Sequence, residues 1–310
     1  MNYQKVKQRG SWRLCGVLLA LAITRSGNSS ENVPHRPFAQ WAEVPLQGQW
    51  SVGLVYEESE AYHIWAGNVE HNVTTHADGE SYGIDINQGY VAVQYGITEK
   101  WAADLNVGYT TSGWRYFSGG HTKSTTGLMD TAFGVRYQAF DEANESSPWV
   151  PTLTFRAGAV IPGTYDQHFP FAPGTRSAAI EPEVLFRKHF AWEGFGAYGD
   201  ALFRWNKTTG NDQYITVIGL FQQIQRWELA AGYRHLQTIT GSDIVLHPDQ
   251  SIDYPRDPRE NQDSIEAGFS YTTLKRHIRF GFHSRTVFDG SNTDRKFWVG
   301  GSVDFPFGGQ

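Results

Sequence analysis

From residue 48 to the C-terminus, apolar side chains recur at every second position, and the positions between them carry most of the charge. In WAADLNVGYTT (101–111) one set is Trp101, Ala103, Leu105, Val107 and Tyr109, and the other is Ala102, Asp104, Asn106, Gly108 and Thr110. Period two is the period of a β-strand. A strand half-buried in a soluble sandwich alternates in the same way, so the open question is whether the apolar face meets a protein core or lipid.

Other segments answer it. Met129, Thr131, Phe133, Val135 and Tyr137 oppose Asp130, Arg136 and Gln138. Ile265, Ala267, Phe269 and Tyr271 oppose Ser264, Glu266, Gly268 and Ser270. Ile278, Phe280 and Phe282 oppose Arg279, Gly281, His283 and Arg285. One face stays nearly free of charge in strand after strand, which is the pattern of a lipid-exposed surface. Aromatic residues mark strand ends: Trp101 with Tyr109, Phe195 with Trp205, Trp227 with Tyr233, and Phe297 with Phe305. Eight residues of tilted strand rise about 20 Å along the membrane normal, close to the apolar band of an outer-membrane barrel. Glycine is abundant, at 33 residues, and aromatics reach 15%. That composition suits strands better than helices.

Twelve strands are expected, at roughly 48–58, 86–97, 101–112, 127–140, 150–162, 178–189, 194–206, 213–224, 227–239, 262–273, 277–288 and 297–307. The fold class is therefore all-β, a transmembrane antiparallel β-barrel closed by an even number of strands. Long connections at 59–85, 113–126, 163–177, 207–212, 240–261 and 289–296 would face outside. Short ones such as 98–100 and 274–276 would face the periplasm, with 141–149 as a longer exception.

Ahead of the barrel, Lys5, Lys7, Arg9 and Arg13 precede an apolar run from Leu14 to Ile23 and then small and polar residues. The run is too short to span a bilayer as a helix and reads as a secretory signal peptide; a buried helix start is the alternative. The expected organisation is a cleaved signal peptide at 1–30, a short periplasmic segment at 31–47, and a barrel at 48–310 in a Gram-negative outer membrane. Cys15 is the single cysteine, so the processed chain would hold neither a disulfide nor a thiolate metal site.

The run YVAVQYGITEKWAADLNVGYT and the later TTGLMDTAFGVRYQAF resemble strands of the outer-membrane transporters of the meta-pathway phenol-degradation type, distantly similar to fatty-acid channels. The matching residues are Tyr95, Gly96, Ile97, Thr98 and Trp101, then Gly127, Leu128, Asp130 and Tyr137, with Met129 where that family usually has glycine. The resemblance implies passage of small, often aromatic or hydrophobic, solutes. Fatty-acid channels also carry an N-terminal plug, and the stretch before residue 48 is too short for a folded hatch.

By parity the lumen-lining residues are Asp104, Asp130, Arg136, Arg156, Glu181, Glu183, Arg187, Asp200, Arg204, Glu228, Arg234, Glu266, Arg279, Arg285 and Asp304. Acids and bases are near balance, and an interior this charged must be at least partly wet or paired. The charges either line a pore or brace it shut. In GTYDQHFPFAPGTRS (163–177), Tyr165, Phe169 and Phe171 form a candidate loop gate. Folded inward they would stack on a planar solute; left outside they belong to a stiff surface loop, the favoured reading.

No catalytic residues are expected. The segment around Tyr233, Arg234 and His235 superficially resembles a barrel lipid hydrolase, but Gln237 stands where its serine belongs; His283 and Ser284 are adjacent and point to opposite faces. His63, His71 and His76, with Glu57, Glu58, Glu60, Glu70, Asp78 and Glu80, read as solvated loop residues rather than a metal site. No cofactor is expected, and with a net charge of −6 and no basic stripe neither is nucleic acid. The expected partners are outer-membrane lipid, lipopolysaccharide and a small-molecule solute, and the oligomeric state is unspecified. Two functions follow: a channel or transporter for small solutes, or a structural or surface-interaction barrel without transport.

Overall fold

The computed structural model describes residues 42–309 apart from 73–82, 116–121, 146, 148, 167–173, 191–193, 208–210, 248–251, 254 and 256–257. The strands are β1 (Gln49–Ala66), β2 (Val69–Asn72), β3 (Ile84–Gly96), β4 (Trp101–Arg115), β5 (Thr122–Leu128), β6 (Thr131–Phe140), β7 (Thr152–Ile161) and β8 (Ala179–His189). They continue as β9 (Phe195–Asn206), β10 (Gln213–Ile224), β11 (Trp227–Thr238), β12 (Val245–Leu246), β13 (Ile252–Asp253), β14 (Asn261–Thr272), β15 (Arg279–Ser291) and β16 (Asp294–Gly308). Each wall strand pairs antiparallel with its sequence neighbour in the wall, and β16 pairs back onto β1 from Gln49↔Gly308 to Ile64↔Asp294. The ring is closed. β6 lies along the first half of β4 and β5 along the second, so the two form one stave interrupted at Met129–Asp130, and the barrel has 12 staves.

The barrel is apolar outside and polar inside. Leu54, Val107, Phe133, Ile180, Ile218, Leu229, Ile265 and Phe280 are exposed on the outer wall, while Arg136, Arg156, Glu183, Glu266 and Arg279 are buried within it. Lipid is the medium that makes this arrangement stable. Aromatic pairs collect at the end carrying the short turns: Trp50 on Tyr95 at 4.6 Å, Trp101 on Tyr137 at 4.8 Å, and Trp227 on Tyr271 at 4.9 Å between ring centroids. Tyr109, Trp205, Tyr233 and Phe297 are exposed nearer the other end.

Three expected boundaries are corrected. The first strand continues past 58 to Ala66 and turns through Gly67 into β2, so Glu57, Glu58, Glu60 and His63 are strand residues and not part of a loop. The expected long connection at 289–296 is a tight turn at Asn292–Thr293, with Asn292 at φ 52°. The second hairpin also extends past the expected 112, to Arg115, and returns from Thr122. The cause is common to all three: once a stave leaves the hydrocarbon its outer face turns polar, as at Glu58 and Glu60, and the alternation fades while the backbone pairing persists.

Candidate functional site

The short-turn end of the interior is filled from within. Residues 42–46, expected as a periplasmic segment, enter the barrel: Ala42 and Val44 are buried, Val44 N donates to Gln138 Oε1 at 3.3 Å, and Thr154 Oγ1 donates to the Ala42 carbonyl. Glu43 pairs with Arg187. A side chain on Gly96 would run into the Leu46 carbonyl oxygen, so glycine is what lets this segment lie against the wall. These residues occupy the lumen directly. Arg187 also stacks on Phe221 at 4.7 Å and lies 4.0 Å from Glu228, which Arg279 reaches at 3.4 Å while donating to Ser270 Oγ at 2.7 Å. Asp304 faces Arg279 directly across the β15–β16 ladder.

One side of the mid-barrel is knitted by ion pairs. Arg156 donates to Asp104 at 2.6 Å and to Glu181 and Glu183 at 3.4 Å each, and Arg204 donates to Glu181 at 2.7 Å. Arg136 is buried beside them on the paired position of β6. The Arg156 guanidinium lies across Gly134 and Gly158, where any Cβ would collide with it. Charges so buried are tolerable because each carboxylate meets a guanidinium.

The opposite side is more open. Tyr198 lies flat over Gly219 and Gly232 and its hydroxyl donates to Glu266 at 3.2 Å. Glu57 accepts from His283 at 2.7 Å and from Gln88 at 2.5 Å. Asp200, Arg234 and Arg285 are only half-buried although they point inward, as is Arg204 at the edge of the ion-pair cluster, so this level of the barrel contains accessible space. Glu43, Glu57, Gln88, Tyr90, Tyr198 and Trp298 join the interior without having been expected there. For Glu57 the signal was present, since Ser51, Gly53 and Val55 set its parity; for Glu43 no periodic pattern could have revealed it.

Tyr165 is the second correction to the site. Instead of lying on a stiff surface loop it is 1% exposed; its hydroxyl donates to Asp130 at 2.9 Å and accepts from Arg176 N at 2.7 Å. Asp130 also accepts from Gly163 N at 2.8 Å, so it anchors the loop at the break between β5 and β6. Burial, then the Asp130 charge, pushes the Tyr165 phenol up, and it stays protonated. Leu128 and Thr164 exchange two hydrogen bonds, and Asp166 N donates to Thr125 at 2.6 Å. The loop thus sews itself to β5, which among the described residues pairs with the strand β4 alone. Phe169 and Phe171 lie outside the described residues. Among the described residues no group of three or more His, Cys, Asp or Glu side chains is arranged to hold a metal; His63 contacts Glu70, and His76 lies outside them.

Residues 66–305 match the family described as "Putative MetA-pathway of phenol degradation". The chain belongs to this family. Among solved structures it is similar to the COG4313 outer membrane channel from Pseudomonas putida F1, at 12% identity over 86% of this chain and 98% of that one, with a TM-score of 0.66. More distant likenesses are the translocator domain of the autotransporter NalP from Neisseria meningitidis (13% identity, 84% and 89% covered, TM-score 0.46) and the P. putida toluene transporter TodX (9%, 85% and 91%, 0.41). No curated protein matches the sequence. The COG4313 likeness supports the barrel architecture that the sequence led one to expect.

Proposed function

We propose that this protein is an outer-membrane channel for small hydrophobic or aromatic solutes that rests in a closed state. The family supports the solute class. The observation that carries the closed state is the extended segment 42–46, held inside the short-turn end by Glu43 on Arg187 and by Val44 and Ala42 on Gln138 and Thr154. Above it the lumen is accessible and lined by Asp200, Arg204, Arg234 and Arg285, with Tyr90 and Trp298 as inward aromatic surface. A solute entering from the long-loop side meets polar and aromatic walls, then a barrier that a few hydrogen bonds and one ion pair hold in place.

The test is conductance in planar bilayers of the processed chain and of a form lacking residues 31–46, with folding verified by a heat-modifiable gel shift. Low conductance that rises sharply on deletion is expected. Absence of current from both folded forms would remove the channel and leave a structural or surface-interaction barrel.

A further inference from the structure

On the open flank of the lumen two directly paired residues each hold a buried N–H donor without an acceptor. Arg285, midway along β15, is directly paired with Trp298 on β16, and its guanidinium lies over the indole at 5.3 Å. Both the Arg285 Nε and the Trp298 Nε1 are buried, and neither has a hydrogen-bond partner; Trp298 is 6% exposed. Leaving such donors unpaired is costly, and native interiors rarely do so without a reason. The neighbouring carboxylates carry hydrogen bonds from other donors, Glu57 from His283 and Gln88, and Glu266, directly across the ladder from Arg285, from Tyr198, and neither accepts from Arg285 Nε. Arg234, the next inward cation, interacts electrostatically with Arg285, Glu266, Asp200 and Glu260. Among the described residues neither arginine forms an ion pair.

We propose that Arg285 Nε and Trp298 Nε1 form a solute-binding site for small aromatic molecules carrying an uncharged oxygen acceptor, a ketone or hydroxyl. The inference rests on reading the barrel as a solute channel and names the solute class it prefers. An oxygen between the two N–H groups satisfies both, while Tyr90, whose surroundings include Glu57 and Arg285, offers ring surface nearby. A hydrocarbon of the same shape leaves both donors dry. A carboxylate is disfavoured for a different reason: it must shed its water in a buried site where Glu57 and Glu266 already stand beside Arg285, which costs far more than burying a neutral oxygen. Geometry therefore selects for an acceptor, and desolvation selects against an anion.

The experiment is calorimetric titration of the detergent-folded full barrel with three compounds of one skeleton, toluene, 4-methylacetophenone and 4-methylbenzoate. The ketone should bind about tenfold more tightly than either of the others, the value of one good buried hydrogen bond. Trp298→Phe keeps the ring and deletes one N–H, and Arg285→Lys keeps the charge and deletes the other; each should lower ketone affinity about five- to tenfold and leave toluene unchanged. Folding of each variant is checked by the gel shift, so one can stand in for the other. Equal binding of ketone and toluene, tightest binding of the benzoate, or an unchanged preference in both variants would overturn the site. Passage into proteoliposomes separates the two readings. Selective binding without passage removes the channel and keeps the site, whereas equal passage of all three without selective binding keeps the channel and removes the site.

Discussion

Inward glycines and long polar side chains in this barrel come as pairs. Arg156 lies across Gly134 and Gly158, Tyr198 across Gly219 and Gly232, and His283 against Gly300, each filling the space that a neighbouring side chain would have taken. The polarity of the interior was legible from parity, because a charge in a strand flanked by apolar residues has one face left to occupy. Its pairing was not, since Arg156 reaches three carboxylates on β4 and β8 whose positions depend on register and tilt rather than on spacing. Two predictions belong to this scale. Arg156→Met leaves Asp104, Glu181 and Glu183 short of a guanidinium and should cost about 3–5 kcal/mol in urea unfolding from detergent or lipid, and adding Glu183→Gln should recover part of it. Gly219→Val places a Cβ where Tyr198 and the Ala231 carbonyl already are, and should cost about 1–3 kcal/mol by overpacking.

At the level of elements, the twelve staves were readable and their outer ends were not. Lipid enforces alternation only across its own thickness, so the signal stops at the membrane boundary while β1 runs on to Ala66 and β15 to Ser291. The longer short-side turn, 141–151, has its own clasp. Glu142 accepts from Lys188 Nζ at 3.0 Å and from His189 N at 2.9 Å, and also contacts His189 Nδ1. Burial works to raise the Glu142 carboxyl, but the His189 and Lys188 hydrogen bonds outweigh it and hold the group below its ordinary 4.5. A depressed carboxylate contributes stability that is present above that ordinary value and is lost as pH falls through the lower, folded one. Stability measured by denaturant should therefore decline from about pH 5 downward, and Glu142→Gln should be weaker at neutral pH with a flatter acid limb. On the opposite end, Tyr165→Phe removes the hydroxyl between Asp130 and Arg176 and should cost about 1–3 kcal/mol locally. Limited proteolysis within 163–177 would report it as faster nicking, and unchanged nicking would count against the loop being sewn to β5.

For the molecule as a whole, the decisive property is which side of the wall is solvated by what. Leu105 and Asn106 are consecutive on β4, and their side chains point to opposite faces; Leu105 is 39% exposed on the outer wall beside Val93 and Phe133, and Asn106 faces the interior beside Ala92 and Ala132. If lipid covers the outside, a charge introduced at Leu105 must be dragged into hydrocarbon, whereas a change of polar group at Asn106 stays among water and polar side chains. Leu105→Arg and Phe280→Arg should each lose roughly 2–4 kcal/mol at mid-bilayer depth, and Asn106→Ser should be mild, measured as reversible unfolding from lipid vesicles. The contrast cannot come from strand propensity, because Leu105 and Asn106 share one strand and one local backbone. It also separates a membrane barrel from a soluble one with a polar core, which would tolerate a surface arginine at 105 and at 280 without loss. Equal tolerance at both faces, or a chain that remains folded and monodisperse without detergent, would sink the membrane reading and with it the channel.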